Sequence, residues 1–201
     1  MKASMKTTLI FCFIVSLATA LTACMGGGKP RANIAKYDFG VLVKSNQLLQ
    51  ADVDVEEITA SDALSYQQMR YRLSYENPAQ VFYYTESRWI ALPSELLNTQ
   101  LAGLLKLSNS QNQCSLRLKL QGFDQLFVSK SNSIGLVSLS ATLIDKKNTT
   151  ALSHTFITEQ APASAANAQA GAKALAVASE ATLIKAIEWA NSQAKQIAIC
   201  H

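Results

Sequence analysis

Gln113-Cys114-Ser115-Leu116-Arg117-Leu118-Lys119-Leu120-Gln121 is the stretch whose reading decides the fold. Leu116, Leu118 and Leu120 alternate with Arg117, Lys119 and Gln121. A period of two places the leucines on one face of a strand and the polar residues on the other. The pattern predicts a half-buried strand over 113–129. Ser131-Asn132-Ser133 then turns the chain, and 134–145 returns with Val137, Leu139, Ala141 and Leu143 inward. Asp145-Lys146-Lys147-Asn148 supplies a second turn, so 151–158 is a third antiparallel strand.

After this meander the period changes. From Ala163 the chain is rich in alanine, and Ala172, Leu175, Ala176, Leu183, Ala186, Ile187, Ala190, Ala194 and Ile197 recur at i, i+3, i+4 spacing. That spacing predicts a helix running to about Cys200, with small residues that allow close packing on the sheet.

Upstream, Tyr37 to Val43 has strand composition. Residues 51–58 alternate, with Val53, Val55 and Glu57 on one face against Asp52, Asp54 and Glu56. Over 66–75, Met69, Tyr71, Leu73 and Tyr75 oppose Arg70 and Arg72; Glu76-Asn77-Pro78-Ala79 turns the chain, and 80–85 returns as an aromatic strand. A hairpin follows from that order. Pro93-Ser94-Glu95 opens a helix bearing Leu96, Leu97, Leu101, Leu104 and Leu105, with Ser108-Asn109 as its stop. Proline suits a first helical turn, where its missing N–H costs little. Without repeats or a second linker, 36–201 reads as a single α+β domain.

The amino terminus has another purpose. Lys2 and Lys6 precede an uncharged apolar run, Thr7 to Ala20, and Leu21-Thr22-Ala23-Cys24 follows. This is the layout of an export signal, too short for a membrane span of ~20 residues. Its last four residues resemble the lipobox, which implies cleavage after Ala23 and diacylglyceryl and palmitate-type acylation of Cys24. The alternative is an ordinary secretory signal with an incidental cysteine. Each buried CH₂ of an acyl chain contributes ~0.8 kcal/mol, so more than one chain holds a protein at a membrane. Met25 in place of an inner-membrane retention aspartate resembles the sorting pattern for the outer membrane, periplasmic face. Residues 1–23 are thus the signal and 24–35, with Gly26-Gly27-Gly28 and Pro30, a lipidated flexible tether.

Removing 23 of the 201 residues leaves 178, enough for one real core. Lys2 and Lys6 account for half of the net charge of +4. No long basic run exists, which gives nucleic acid no support as a partner. Hydrophobic content of 49% against 16% charged residues indicates a folded chain. Of four cysteines, Cys12 leaves with the signal and Cys24 carries lipid. Cys114 and Cys200 remain, and in an oxidising compartment two such residues are expected to pair; two separate buried thiols are the alternative.

Catalytic chemistry has few candidates. His154 sits in a strand beside Ser153 and Thr155, and His201 is the last residue. Asp52, Asp54, Glu56 and Glu57 read as a solvated strand face, without the glycine loop of a calcium site. Two histidines and no CxxC spacing support neither zinc nor redox chemistry. No catalytic residue, metal or cofactor is assigned apart from the covalent lipid on Cys24, and the chain is read as a non-enzyme.

One ordered set of residues resembles a family. Tyr37-Asp38-Phe39-Gly40, Arg70-Tyr71 with Tyr75, Tyr83-Tyr84 leading to Arg88-Trp89 and Pro93, Cys114-Ser115-Leu116-Arg117 running to Phe123-Asp124-Gln125, and Trp189 in the final helix form that set. It is similar to the auxiliary lipoproteins of ABC-type lipid transport systems, relatives of the paraquat-inducible C lipoprotein that partner MCE-domain proteins. Leu92-Pro93 departs from the two consecutive prolines of that pattern. The resemblance implies a mixed, mainly antiparallel sheet packed by two helices, similar to the TolB amino-terminal fold. It also implies a non-catalytic accessory subunit, with an MCE-domain protein and an ABC permease and ATPase as partners. A stand-alone structural or assembly lipoprotein of the envelope is the alternative, and a homo-oligomer is open.

Tyr and Trp are favoured at interfaces. Tyr71, Tyr75, Phe82, Tyr83, Tyr84 and Trp89 are therefore the candidate partner contacts, with core packing as the competing role for each.

Overall fold

Leu116, Leu118 and Leu120 are wholly buried, and the strand that holds them is the axis of the sheet. The computed structural model describes residues 33–40, 48–106 and 112–200. The expected signal, Cys24, the tether through residue 32, Val41–Val43, the Ser108-Asn109 helix stop and His201 lie outside the described residues. Eight strands form one mixed sheet: β1 (Ala35–Tyr37), β2 (Asp54–Val55), β3 (Thr59–Ala60), β4 (Gln68–Leu73), β5 (Phe82–Trp89), β6 (Cys114–Phe127), β7 (Ser133–Asp145) and β8 (Thr150–Pro162). Among the described residues two α-helices, α1 (Pro93–Leu104) and α2 (Ala168–Ala194), complete an α+β domain.

The strand order is β1-β5-β4-β6-β7-β8, with β2 and β3 pairing along the first part of β6. β6, β7 and β8 form the expected antiparallel meander. The 68–89 hairpin is antiparallel as expected. It docks parallel to the last part of β6, with Tyr71 beside Gln125. Antiparallel pairs thus make the long ladders, while parallel pairs attach the amino-terminal strands.

Both helices lie on one face. α2 packs on β6, β7 and β8, and Gln100 of α1 donates from Nε2 to the Ala176 carbonyl of α2 at 3.1 Å. The approach of α2 to β7 depends on Gly135, where a Cβ would come within 2.5 Å of the Leu175 backbone nitrogen. Buried alanines on α2, among them Ala178, Ala186 and Ala190, continue that contact. Among the described residues the opposite face carries no α-helix.

Several expected boundaries move. The helix expected from Ala163 starts at Ala168, because β8 continues four residues beyond the expected strand end, to Pro162. Asn167 then caps the helix, its side chain accepting from Ala170 N at 2.9 Å. The helix ends at Ala194, followed by a short 3-10 turn reaching Cys200. α1 stops at Leu104, since Leu105 pairs with Leu49 instead.

Residues 51–58 form only the two-residue β2 rather than one strand, because the chain leaves β6 after Val55 and pairs with it again only at β3. Val53 and Ile58 are buried while Glu57 is exposed, so Glu57 does not share the apolar face. β1 begins at Ala35 and stops after Tyr37. Asp38 Oδ1 accepts from Gly40 N at 2.8 Å, and Gly40 has φ +80°, a left-handed turn that ends the strand.

Cys114 and Cys200 are joined by a disulfide, with Cα atoms 5.1 Å apart and 86 positions separating them in sequence. It ties the start of β6 to the chain that follows α2. In a chain-entropy account, closing a loop of that size contributes ~4–5 kcal/mol.

Candidate functional site

A bulge between Leu120 and Gly122 sets the geometry of β6. Leu116, Leu118 and Leu120 face the helices, and after the bulge Phe123, Gln125 and Phe127 do so. Asp124 is therefore turned to the open face, where Arg70 and Arg72 meet it. Arg70 Nε stands 2.9 Å from Asp124 Oδ1, in ionic contact without hydrogen-bond alignment. Arg72 Nε donates to Oδ2 at 3.3 Å.

The guanidiniums also hold backbone: Arg70 donates to Ala63 O at 3.0 Å, and Arg72 to Pro78 O at 3.1 Å. Asp124 is only 4% exposed, so this network is a structural clamp between two loops and the sheet.

The helix-covered side of β4 and β5 holds the aromatic cluster. Tyr71 stacks on Phe82 with ring centres 5.3 Å apart, and lies 4.7 Å from Tyr84 and 5.6 Å from Phe127. Tyr84 donates its hydroxyl to Gln125 Oε1 at 2.9 Å. Burial, and secondarily Tyr71, holds the Tyr84 phenol well above its ordinary pKa. Gln125 Nε2 in turn donates to Ser133 Oγ at 2.8 Å and to Asn167 O at 3.2 Å. A shallow depression of about 440 Å³ opens beside this network, between Tyr84–Ser87 and Ala166–Gln169.

The six candidate aromatic residues divide accordingly. Tyr75 and Tyr83 are exposed, whereas Tyr71, Phe82 and Tyr84 are half-buried in the stack. Trp89 is only 1% exposed, enclosed by Phe39 and Phe123 with ring centres 5.9 and 5.2 Å away. It is a core residue and not a contact surface, because the irregular pairing of β5 with β4 between Tyr83 and Arg88 reverses the alternation and turns Trp89 toward the helices. Sequence reasoning did not identify Asp124 or Gln125 as organising residues. Asp124, the one acidic residue of β6, was the available signal.

A second cluster lines the far end of the open face. Arg117 Nε donates to Glu56 Oε2 at 2.8 Å, and Ser115 Oγ to Glu56 Oε1 at 2.6 Å. The Arg117 hydrogen bond is the largest influence lowering the Glu56 pKa, with burial opposing it and the Ser115 bond assisting. Lys146 pairs with Asp54 alongside, around a depression of about 360 Å³.

His154 is exposed on the edge strand, its ring 4.8 Å from that of Phe156. Ser153 Oγ donates to Gln193 Oε1 at 2.8 Å and not to the imidazole. Among the described residues no group of three or more His, Cys, Asp or Glu side chains is placed to hold a metal ion.

No protein-family model matches the chain, and no curated protein matches it. Solved structures do resemble it. A Xanthomonas campestris protein of family DUF330 aligns with a TM-score of 0.65 and 16% identity, over 81% of this chain and 98% of that one. A second structure, described only as an uncharacterized protein, aligns at 0.55 and 13% identity over 80% and 99%. Both likenesses establish the fold alone. Lipoprotein GNA1162 from Neisseria meningitidis, at 12% identity over 72% of this chain and 98% of that one, has a TM-score of 0.29, too low to carry an argument.

Proposed function

We propose that this chain is a lipoprotein, acylated at Cys24 and held at the periplasmic face of the outer membrane, that serves as a non-catalytic accessory subunit of an ABC/MCE-type lipid transport system. One observation carries the reading. Several of the scattered residues that resemble the auxiliary lipoproteins meet in the fold: Phe39, Trp89 and Phe123 pack together, Arg70 meets Asp124, and Tyr84 meets Gln125. These contacts join the turn after β1 to β5, β4 and β6, so the motif residues brace one region of the sheet.

The role of such a domain is to bind and hold. Tyr83 and Tyr75 are the candidate contacts that remain exposed, and the Asp124 clamp fixes the strands and the turn between them. Tyr83 has a large ring with little rotamer entropy to lose, which suits a docking residue.

The test is a photo-crosslinking amino acid at position 83 in the full-length protein, activated in intact cells. Capture of an MCE-domain subunit is expected. Crosslinks only to cell-wall or envelope-assembly proteins would move the assignment to a stand-alone structural lipoprotein.

A further inference from the structure

The two ends of the sheet differ in charge. At one end lie the turn 74–81, the turn 128–132 and the connection 163–167; β4 and β6 run toward this end and β5, β7 and α2 start from it. Across these three loops only Glu76 and Lys130 are charged. Tyr75 and Val128 are 39% and 50% exposed there, brought side by side by the Ser74 N bond to Phe127 O at 3.0 Å. The other end is charge-dense, with Asp52, Asp54, Glu56, Arg117, Lys146 and Lys195 around the start of β6. A surface of few charges with an exposed aromatic and an exposed aliphatic residue matches the composition of a bilayer interface, and a charge-dense one does not.

Chain reach selects the same end. Ala35 stands beside Ser87, and β1 read backwards heads toward the Phe82 end of β5, which is the low-charge end. Nine residues, 25–33, separate Cys24 from Ile34. The ten steps from Cys24 to Ile34 extend to about 35 Å at most. From Ile34 the low-charge loops are about 10 Å away along the strands, whereas the start of β6 is about 30 Å away in the opposite direction. Bringing the charged end to the membrane would take nearly the whole tether, fully extended along the domain, whereas the low-charge end is reached with slack. The flank between these ends is polar as well, with exposed Lys36 and Glu86 on β1 and β5.

We infer that the loops 74–81, 128–132 and 163–167 form a membrane-apposed surface, with Tyr75 and Val128 at the lipid headgroups and the Glu56–Arg117 end directed away. This rests on acylation at Cys24. The occupant is the bilayer in which the anchor itself sits. Exposed Tyr66 and Ile90, at the opposite ends of β4 and β5, are held clear of it.

The test uses the full-length acylated protein in phosphatidylethanolamine–phosphatidylglycerol vesicles containing brominated phosphatidylcholine, a contact quencher of tryptophan. Val128→Trp and Tyr66→Trp are compared after subtracting the emission of Trp89 and Trp189. Because an interfacial side chain sits ~5–10 Å into the headgroup boundary, Val128→Trp is expected to lose roughly half its added emission and Tyr66→Trp almost none. Vesicle flotation and the acyl mass of the protein are read on the same samples. Protein that floats and carries acyl mass, yet shows equal quenching, no quenching or the reverse order, overturns the membrane-apposed surface while leaving the lipoprotein reading standing. Protein that neither floats nor carries acyl mass overturns the lipoprotein reading, and the surface with it.

Discussion

The side-chain amide of Gln125 fills the space that a side chain at residue 171 would need. A Cβ on Gly171 would stand 1.9 Å from Gln125 Oε1, and that oxygen is the acceptor for Tyr84. Helix α2 and strand β6 are thus locked at the point where the aromatic cluster meets the helix start.

Gly171→Ala is expected to destabilise the protein by about 2–3 kcal/mol, since Gln125 must leave partners that remain buried. Urea unfolding of the purified protein measures this. Adding Gln125→Ala should cost less than the two single changes summed, because the clash is then relieved; full additivity would show that the two residues do not interact.

Asp124→Ala should cost about 3 kcal/mol. It leaves Arg70 and Arg72 facing each other across a site that is 6% exposed on the acid side, and uncompensated buried charge is costly. Equilibrium unfolding checks the size, and enhanced proteolysis near Pro78 checks the clamp. An unchanged midpoint would mean that the two arginines hold their loops without the carboxylate.

The meander and the hairpin were legible in the sequence because their signals are local. Leu116–Leu120 alternate with polar residues, and Asn132 and Asp145–Asn148 turn the chain between strands. The parallel docking of Tyr71 beside Gln125 was not legible, since no local pattern encodes a partner about fifty positions away. The bulge after Leu120 adds one residue and so reverses the alternation, which hid the outward turn of Asp124. Trp89 could not be assigned to the core from β5 alone, because aromatic residues occur at both parities of that strand. The acidic run 52–57 concealed the burial of Val53 and Ile58.

Reducing the Cys114–Cys200 bond should lower stability by up to ~5 kcal/mol, and mature protein should present no free thiol before reduction. Thiol labelling with and without reductant, followed by unfolding, gives both numbers. Labelling of both cysteines in the unreduced protein would contradict the bond.

Glu56 contributes to acid sensitivity. Its pKa is lowered in the fold from the ordinary 4.5, chiefly by the Arg117 hydrogen bond, so its stabilisation is present above that value and is lost as pH falls through the folded value. Glu56→Gln should therefore flatten the decline of stability below about pH 4.5. A decline as steep as that of the unmodified protein would show that the pair contributes little.

Cys24→Ala should leave uncleaved precursor in the inner membrane fraction, because acylation precedes cleavage at a lipobox. Normal processing and sorting of that variant, read by fractionation and immunoblot, would remove Cys24 as the lipid site.

Affinity purification of the tagged full-length protein from gently solubilised envelopes, with mass spectrometry of the recovered proteins, tests the transport role most directly. An MCE-domain subunit together with its permease and ATPase is the expected result. Recovery of cell-wall or envelope-assembly proteins without any MCE component would contradict it.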